Sequence, residues 1–450
     1  METKSTFVQT TFAKRKWYQI MKIKIIGGGL SGCEAAYQLL KRGYEVEMHE
    51  MRDGEKSTKA HKTTSLAELV CSNSLKSMQQ DTGHGLLKLE MQKIGSLLLT
   101  CAYSSSVPAG GALAVDREKF SSRVEEELNK FEKFKLIRKE VEEIDVDIPT
   151  IIASGPLTSD TLSKKIDELL GEENLNFFDA IAPIVDASTI DFSKAFFAAR
   201  YGKGGSDYIN CPMNKEEYLK FYTELVNAKR ASLHDFDLKV FEHCMPIEVM
   251  ASRGEDTMRY GPLRPKGIRK EGSDERFYAV VQLRKENVEG SAYNLVGFQT
   301  NLTYGEQKRV FSLIPGLENM EILRYGIMHR NTYINAPKIL NEGFQLKAHK
   351  NIFFAGQMTG VEGYVESIMS GMIAAINLDR YLKGEELLIL PKETIIGALQ
   401  RHIVDDTSTY EPMNANFGIL PELDKAPRDK KERKLAYTLR SLSEIEKINI

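Results

Sequence analysis

Hydrophobic and polar positions alternate in a strand, turn and helix order near the start of the chain. Residues 22–26 form a short apolar run that ends at Gly27-Gly28-Gly29-Leu30-Ser31-Gly32. A helical run from Cys33 to Arg42 follows, and after Gly43 the segment 44–50 alternates as a half-buried strand does. This completes strand, glycine turn, helix and strand within about 30 residues, the span of a βαβ unit. Two further apolar runs, 149–155 and 351–356, also end in glycine. Strands that stop at glycine before helices predict an α/β fold with a Rossmann-like, doubly wound parallel sheet, visited early and again late.

Between these visits the pattern changes. Scattered prolines, more aromatics and alternating runs such as 277–283 predict an inserted α+β domain. The expected organisation is a disordered extension at 1–20, a discontinuous domain built on the parallel sheet at 21–176 and 321–400, an inserted α+β domain at 177–320, and a helical tail at 401–450. A helix is expected after Gly371. No internal repeat or low-complexity tract interrupts the plan.

Composition narrows the classes. The 450 residues, 42% hydrophobic, suffice for two or three cores, and 61 basic against 63 acidic residues leave a charge of −2. Such a chain has no polyelectrolyte character, so any RNA surface must be local. No apolar run reaches 18 residues, and nothing suggests a membrane or an obligate protein partner; a cytoplasmic location is expected.

In G-x-G-x-x-G register, Gly27 makes the tight turn, Gly29 admits a pyrophosphate, and Gly32 lets helix and strand approach. Gly28, Leu30 and Ser31 complete the turn, whose helix N-terminus faces phosphate. Glu50 follows Gly32 by 18 residues and is placed to accept ribose hydroxyls. The late strand ending at Gly356-Gln357, with Gly363-Tyr364 opening the next helix, suggests FAD rather than NAD. The cysteines, Cys33, Cys71, Cys101, Cys211 and Cys244, form no C-x-x-C pair, so neither a metal site nor a redox dithiol is expected.

Long stretches then show a family likeness. Ala67-Glu68-Leu69-Val70-Cys71-Ser72-Asn73-Ser74, Ser106 to Arg117, Cys244-Met245-Pro246-Ile247-Glu248-Val249-Met250, Gly297-Phe298-Gln299-Thr300, Met328-His329-Arg330-Asn331-Thr332 and Gly356 to Ser367 occur together and in order. From residue 21 to about 382 the chain closely resembles the folate- and FAD-dependent RNA (uracil-5-)-methyltransferases, the TrmFO family. The resemblance implies that 5,10-methylenetetrahydrofolate donates carbon, FAD carries electrons from NADPH or NADH, and a uridine in tRNA or ribosomal RNA becomes 5-methyluridine. It places the nucleophile at Cys244 and the base that removes the carbon-5 proton at Cys71. It also implies an imidazole stacked on the folate pterin, for which His329 is the candidate.

Carbon 5 of uracil is a weak nucleophile until a thiolate adds at carbon 6, so a cysteine near the base has an independent chemical reason. Cys211 is read as structural, and Cys33 and Cys101 as core residues. Six basic residues between Arg253 and Lys270, against Glu255 and Asp256, form the expected local RNA surface, with Tyr260 and Phe277 available to stack a base. Competing classes are a flavin-dependent NAD(P)H oxidoreductase and a non-catalytic flavin- and RNA-binding protein. Two distant single thiols favour the methyltransferase over a dithiol enzyme.

Overall fold

The computed structural model describes residues 22–448 except 59, 172–174, 181, 203–206, 232–244, 274, 287–289, 327 and 406–411, and at 175–180 and 328–331 the backbone alone. The extension 1–20, His243 and Cys244 therefore lie outside the described residues, as does the side chain of His329.

The first strand, β1 (Lys22–Ile26), and β2 (Glu45–Glu50) flank the helix α1 (Leu30–Lys41). They belong to a five-stranded parallel sheet with β6 (Phe134–Arg138), β7 (Thr150–Ile152) and β16 (Ile352–Phe354), in the order β16-β7-β1-β2-β6. This is the expected doubly wound arrangement. Its strand order turns back between β1 and β7, which opens a crevice beyond their carboxyl ends at Ile26 and Ile152. Both faces are covered, as a parallel sheet requires. Ile23, Ile25, Val46 and Met48 pack on one side with Cys33, Ala36 and Leu40 of α1, while Ile26, Ile152, Ile352 and Phe354 pack on the other.

The second strand visit leads into α4 (Tyr364–Lys383), after α2 (Gly83–Ile94) and α3 (Arg117–Asn129). The helix begins at Tyr364, where the Gly363-Tyr364 reading puts its opening, and not after Gly371, which lies inside it. A Cβ at Gly371 would come 2.1 Å from the Ser31 carbonyl oxygen, so this glycine permits contact between α4 and α1 rather than ending a turn.

A six-stranded antiparallel sheet, in the order β10-β11-β12-β13-β9-β14, has its own core. Its strands are β9 (Ile184–Asp186), β10 (Phe196–Ala198), β11 (Tyr208–Met213), β12 (Ala279–Lys285), β13 (Ala292–Leu295) and β14 (Ile322–Arg324). Ile209, Cys211, Val281 and Leu283 alternate inward against Tyr218, Phe221, Phe298 and Phe311. The chain leaves the parallel sheet through β8 (Leu175–Ala180) and returns through β15 (Met328–Tyr333), and these two strands pair antiparallel. A small third sheet, β3 (Ser74–Ser77), β4 (Ser106–Val107) and β5 (Ala112–Val115), lies beside the connection.

The last helices, α5 (Ile395–His402) and α6 (Lys430–Glu446), dock on the first unit. Glu90 of α2 is buried there, accepting the Ile395 and Ile396 N–H groups at 2.8 and 2.9 Å and the Ser441 hydroxyl at 2.5 Å. A carboxylate on a helix N-terminus meets both its free donors and its dipole. One side chain thus ties α2, α5 and α6 together.

Candidate active site

Each glycine of the turn is held for a different reason. Gly27 has φ +107°, and a Cβ there would come 2.5 Å from the Ala153 carbonyl oxygen. At Gly32 a Cβ would stand 1.9 Å from the Gly27 oxygen, at Gly28 2.5 Å from Leu66, and at Gly356 2.7 Å from the Ser31 hydroxyl. These four are required by the protein's own packing. Gly29 differs: a Cβ there meets nothing within 4 Å. It is also the N-cap of α1 and makes no side-chain cap, so the first N–H groups of α1 are left for a ligand.

Behind the turn stands Glu50, 6% exposed. Its Oε2 accepts the Gly28 N–H at 2.9 Å, and Arg52 donates from Nε to Oε1 at 3.0 Å and from Nη2 to Oε2 at 3.2 Å. Burial raises the carboxyl pKa, but the hydrogen bonds and charge of Arg52 outweigh it and the net shift is downward. Arg52 is itself 2% exposed and reaches Glu68 at 3.1 Å. Glu50 therefore braces the turn besides lining the crevice. The Arg52 N–H also donates to Oε1 at 3.0 Å, so each carboxylate oxygen already accepts two hydrogen bonds, and a ribose hydroxyl would have to share or displace one of them.

Three adjoining cavities make one trough. The first runs along Gly27, Gly29, Glu50, His61 and Ser154. The second shares Gly29, His61 and Ser154 with it and adds Leu30, Ser31, Cys71, Gln357 and Tyr364. The third shares Cys71, Gln357 and Tyr364 with the second and reaches Arg284, Asn294 and Gln299 of the antiparallel unit. The outer part of the seat is thus joined to the second sheet past a single thiol.

Cys71 is fixed through its backbone. The Tyr364 hydroxyl, at the first residue of α4, accepts the Cys71 N–H at 2.7 Å and the Ser72 N–H at 3.1 Å. Burial pushes the Tyr364 pKa far above the ordinary phenol range, so the hydroxyl stays protonated. From β12, Arg284 donates to the Ser72 hydroxyl at 2.6 Å and the Asn73 side-chain oxygen at 3.0 Å. Asn73 in turn donates to the Val115 and Lys285 carbonyls at 3.1 and 2.8 Å. The Cys71–Ser74 loop is clamped between the two sheets.

Arg117, the first residue of α3, donates to the carbonyls of Leu69 and Val70 and pairs with Glu286 at 2.7 Å. Arg117 and Arg324 both lie within electrostatic reach of Cys71. Arg284 and the part played by Arg117 escaped the sequence reading because their partners are remote in sequence. Among the described cysteines only Cys71 is not buried. Burial pushes the Cys33 and Cys211 thiols well above their ordinary range and Cys101 up to about 11. These three are suited to packing and not to exchange chemistry.

His329 contributes a described backbone, paired with Asp179 in the β15–β8 ribbon. The segment after Cys244 is anchored near the third cavity: the Ile247 N–H donates at 2.7 Å to the carbonyl of Gln299, which lines it.

On the antiparallel unit Arg264, Lys266 and Arg269 are exposed along one cleft with Tyr260, which is 72% exposed, and the exposed Lys270 lines a second cleft that shares Lys266 and Arg269. Arg200 holds their loop by donating to the Arg264 and Lys266 carbonyls at 2.9 and 2.6 Å. Two expected members behave differently. Arg259 pairs with Asp256 and covers the Tyr278 ring at 3.8 Å, and Phe277 packs on Phe196 with ring centres 5.6 Å apart. Both satisfy local partners, which leaves Tyr260 as the exposed ring.

By this architecture the chain is a dinucleotide-binding flavoprotein. The model of the family described as glucose inhibited division protein A matches residues 22–386. A protein of Acetivibrio thermocellus is 53% identical over 422 residues, 93% of this chain and 97% of its own length. One of Aquifex aeolicus is 53% identical over 427 residues, 95% of this chain and 96% of its own. Both are named methylenetetrahydrofolate–tRNA-(uracil-5-)-methyltransferase TrmFO. The solved structure of Aquifex aeolicus GidA aligns with TM-score 0.69 at 16% identity, covering 95% of this chain and 74% of that one, a likeness of fold. The chain belongs to the TrmFO methyltransferase family within the glucose inhibited division protein A group.

Proposed function

We propose that this enzyme methylates carbon 5 of a uridine in tRNA, taking the carbon from methylenetetrahydrofolate, with FAD in the Gly27–Gly32 seat and NADPH or NADH as the source of electrons. The observation that carries the reading is the continuous trough from that seat past Cys71 to the second sheet, in a chain about half identical to enzymes of that name. The residues present fit the cofactor. Gly29 leaves room for a pyrophosphate, α1 offers uncapped N–H groups, and Glu50 lies where a ribose would reach it.

Bound and reduced, FAD supplies the hydride that converts a methylene on the base into a methyl group. The chain's own residues do the rest. Cys244 adds to carbon 6 of the uracil, making carbon 5 nucleophilic toward the folate methylene. Cys71 removes the carbon-5 proton as the folate nitrogen leaves the methylene, and the Cys244 thiolate departs from carbon 6 when that methylene becomes the methyl group. Ile247, the third residue after Cys244, donates its N–H to the carbonyl of Gln299, which lines the third cavity. Clamping by Tyr364 and Arg284 holds Cys71 where the second and third cavities meet. His329 is proposed to stack on the pterin, and residues 177–320 to form the substrate domain that presents the basic cleft to RNA phosphates. The tRNA in the relatives' name favours tRNA over ribosomal RNA. Cys33, Cys101 and Cys211 are buried in cores, so none of these three is suited to a redox pair with Cys71.

With 5-fluorouridine in the target RNA, carbon 5 carries no removable proton. A stable covalent complex is expected, seen as a retarded band in denaturing gels. Cys244→Ala should abolish that band and Cys71→Ala should preserve it while losing turnover on ordinary RNA. A band that survives Cys244→Ala removes Cys244 from its role, and a fully active Cys71→Ala enzyme removes Cys71.

A further inference from the structure

The loop that carries Cys71 is surrounded by guanidinium groups. Arg117 touches it through the Leu69 and Val70 carbonyls, and Arg284 through the Ser72 hydroxyl and the Asn73 side-chain oxygen. A third comes from the edge of the antiparallel sheet. Arg324, the last residue of β14, reaches across to the first unit and donates from Nη2 to the Ala60 carbonyl at 2.8 Å. Ala60 precedes His61, which lines the second cavity together with Cys71. Arg324 is close enough to Arg117 for the two charges to repel, and both interact with Cys71.

The carboxylates nearby do not balance these charges. Glu286 pairs with Arg117 at 2.7 Å and also acts on Arg284. On the loop itself Glu68 pairs with Arg52 at 3.1 Å, and Arg52 is shared with Glu50. Arg52, Arg117, Arg284 and Arg324 thus face Glu50, Glu68 and Glu286, four positive groups against three negative ones. Arg117 Nη2 is moreover buried without a hydrogen-bond partner. The remaining groups around Cys71 do not supply the missing charge. Tyr364 is held protonated, and His61 is bonded to the Thr58 hydroxyl. Across the third cavity Lys76 and Glu362 are of opposite sign, and His84 is engaged with Glu366 at 3.4 Å. A thiolate at Cys71 would complete the balance.

We propose that Arg324 is a positioning residue that acts through Cys71, holding its side chain as a thiolate across the junction of the two units. This rests on the reading of Cys71 as the base and deepens it, because a base must begin unprotonated. Arg117 is largely neutralised by Glu286 at 2.7 Å, whereas Arg324 meets a neutral carbonyl and makes no ion pair among the described residues. Burial and repulsion from Arg117 push the Arg324 pKa down, and a negative Cys71 pulls it up. A guanidinium stays charged throughout, and the attraction is mutual, so Arg324 favours the thiolate over the thiol.

The test is the pH dependence of Cys71 alkylation by iodoacetamide in the FAD-loaded Cys244→Ala enzyme, read by mass spectrometry of the Cys71 peptide. Only the thiolate reacts, so the midpoint of the rate profile is the thiol pKa. With Arg324 present it should lie below about 7.5, against about 8.5 for an ordinary cysteine. Arg324→Met should raise the midpoint by about one unit, and Arg324→Lys, which keeps the charge, should leave it low. Flavin content and thermal unfolding confirm that each variant is folded. An unmoved midpoint in Arg324→Met would overturn the inference, as would an ordinary midpoint with Arg324 in place or a Lys variant that behaves like Met. No RNA or folate enters the measurement. Turnover that survives Cys71→Ala would therefore remove the base reading and leave the midpoint to decide this inference by itself.

Discussion

Gly29→Ala is expected to purify as a folded protein without yellow colour. Its φ of −79° and ψ of −168° suit any residue, and the added methyl touches nothing within 4 Å, so stability without cofactor should stay within about 0.5 kcal/mol of wild type. The same methyl occupies the surface shared by the first two cavities, where the pyrophosphate must come against backbone. FAD affinity should fall by at least about a hundredfold, roughly 2.7 kcal/mol. Gly32→Ala makes the opposite case, since its methyl strikes the Gly27 oxygen and must displace the turn itself. Flavin absorbance per chain and thermal unfolding of the cofactor-free proteins separate the two. A Gly29→Ala protein with full flavin content would place the pyrophosphate elsewhere.

Arg117→Met should destabilise the protein by about 3–5 kcal/mol, the range for removing one partner of a buried ion pair. Glu286 is 6% exposed, and its Oε1 is already buried without a hydrogen-bond partner. Loss of Arg117 would leave that carboxylate with no cation at 2.7 Å and free the Leu69 and Val70 carbonyls that lead to Cys71. The double variant Arg117→Met, Glu286→Gln removes the stranded charge and should recover much of the loss. Urea unfolding of the single and double variants measures both effects. A single-variant cost below about 1 kcal/mol would mean that the pair is solvated and not part of the clamp.

What the sequence reveals and what it hides follow from the range of the interactions involved. The seat was legible because β1, the glycines, α1 and β2 are consecutive, and turn chemistry and period act locally. Gly371 was misread for the same reason. Glycine looks like a helix boundary until another helix, more than 300 residues earlier in the chain, is found to lie against it through Ser31. The clamp on Cys71 was hidden: Arg284 meets Asn73 across 211 positions, and Tyr364 meets Cys71 across 293. No local pattern records such pairs. Cys71 itself was singled out by family likeness, and the structure adds that it is the one described thiol on the trough. The basic segment was legible as charge, but only the fold shows Arg259 committed to Asp256 and Tyr278.

The central claim is that a folate carbon crosses this trough to a uridine. Methylenetetrahydrofolate labelled in its methylene carbon, supplied with NADPH, the FAD-loaded enzyme and total RNA from a methylation-deficient host, tests it directly. Label should appear in tRNA as 5-methyluridine after nuclease digestion and should vanish with Cys71→Ala. Label confined to ribosomal RNA would contradict the proposed substrate, and no label in any RNA would contradict the reaction.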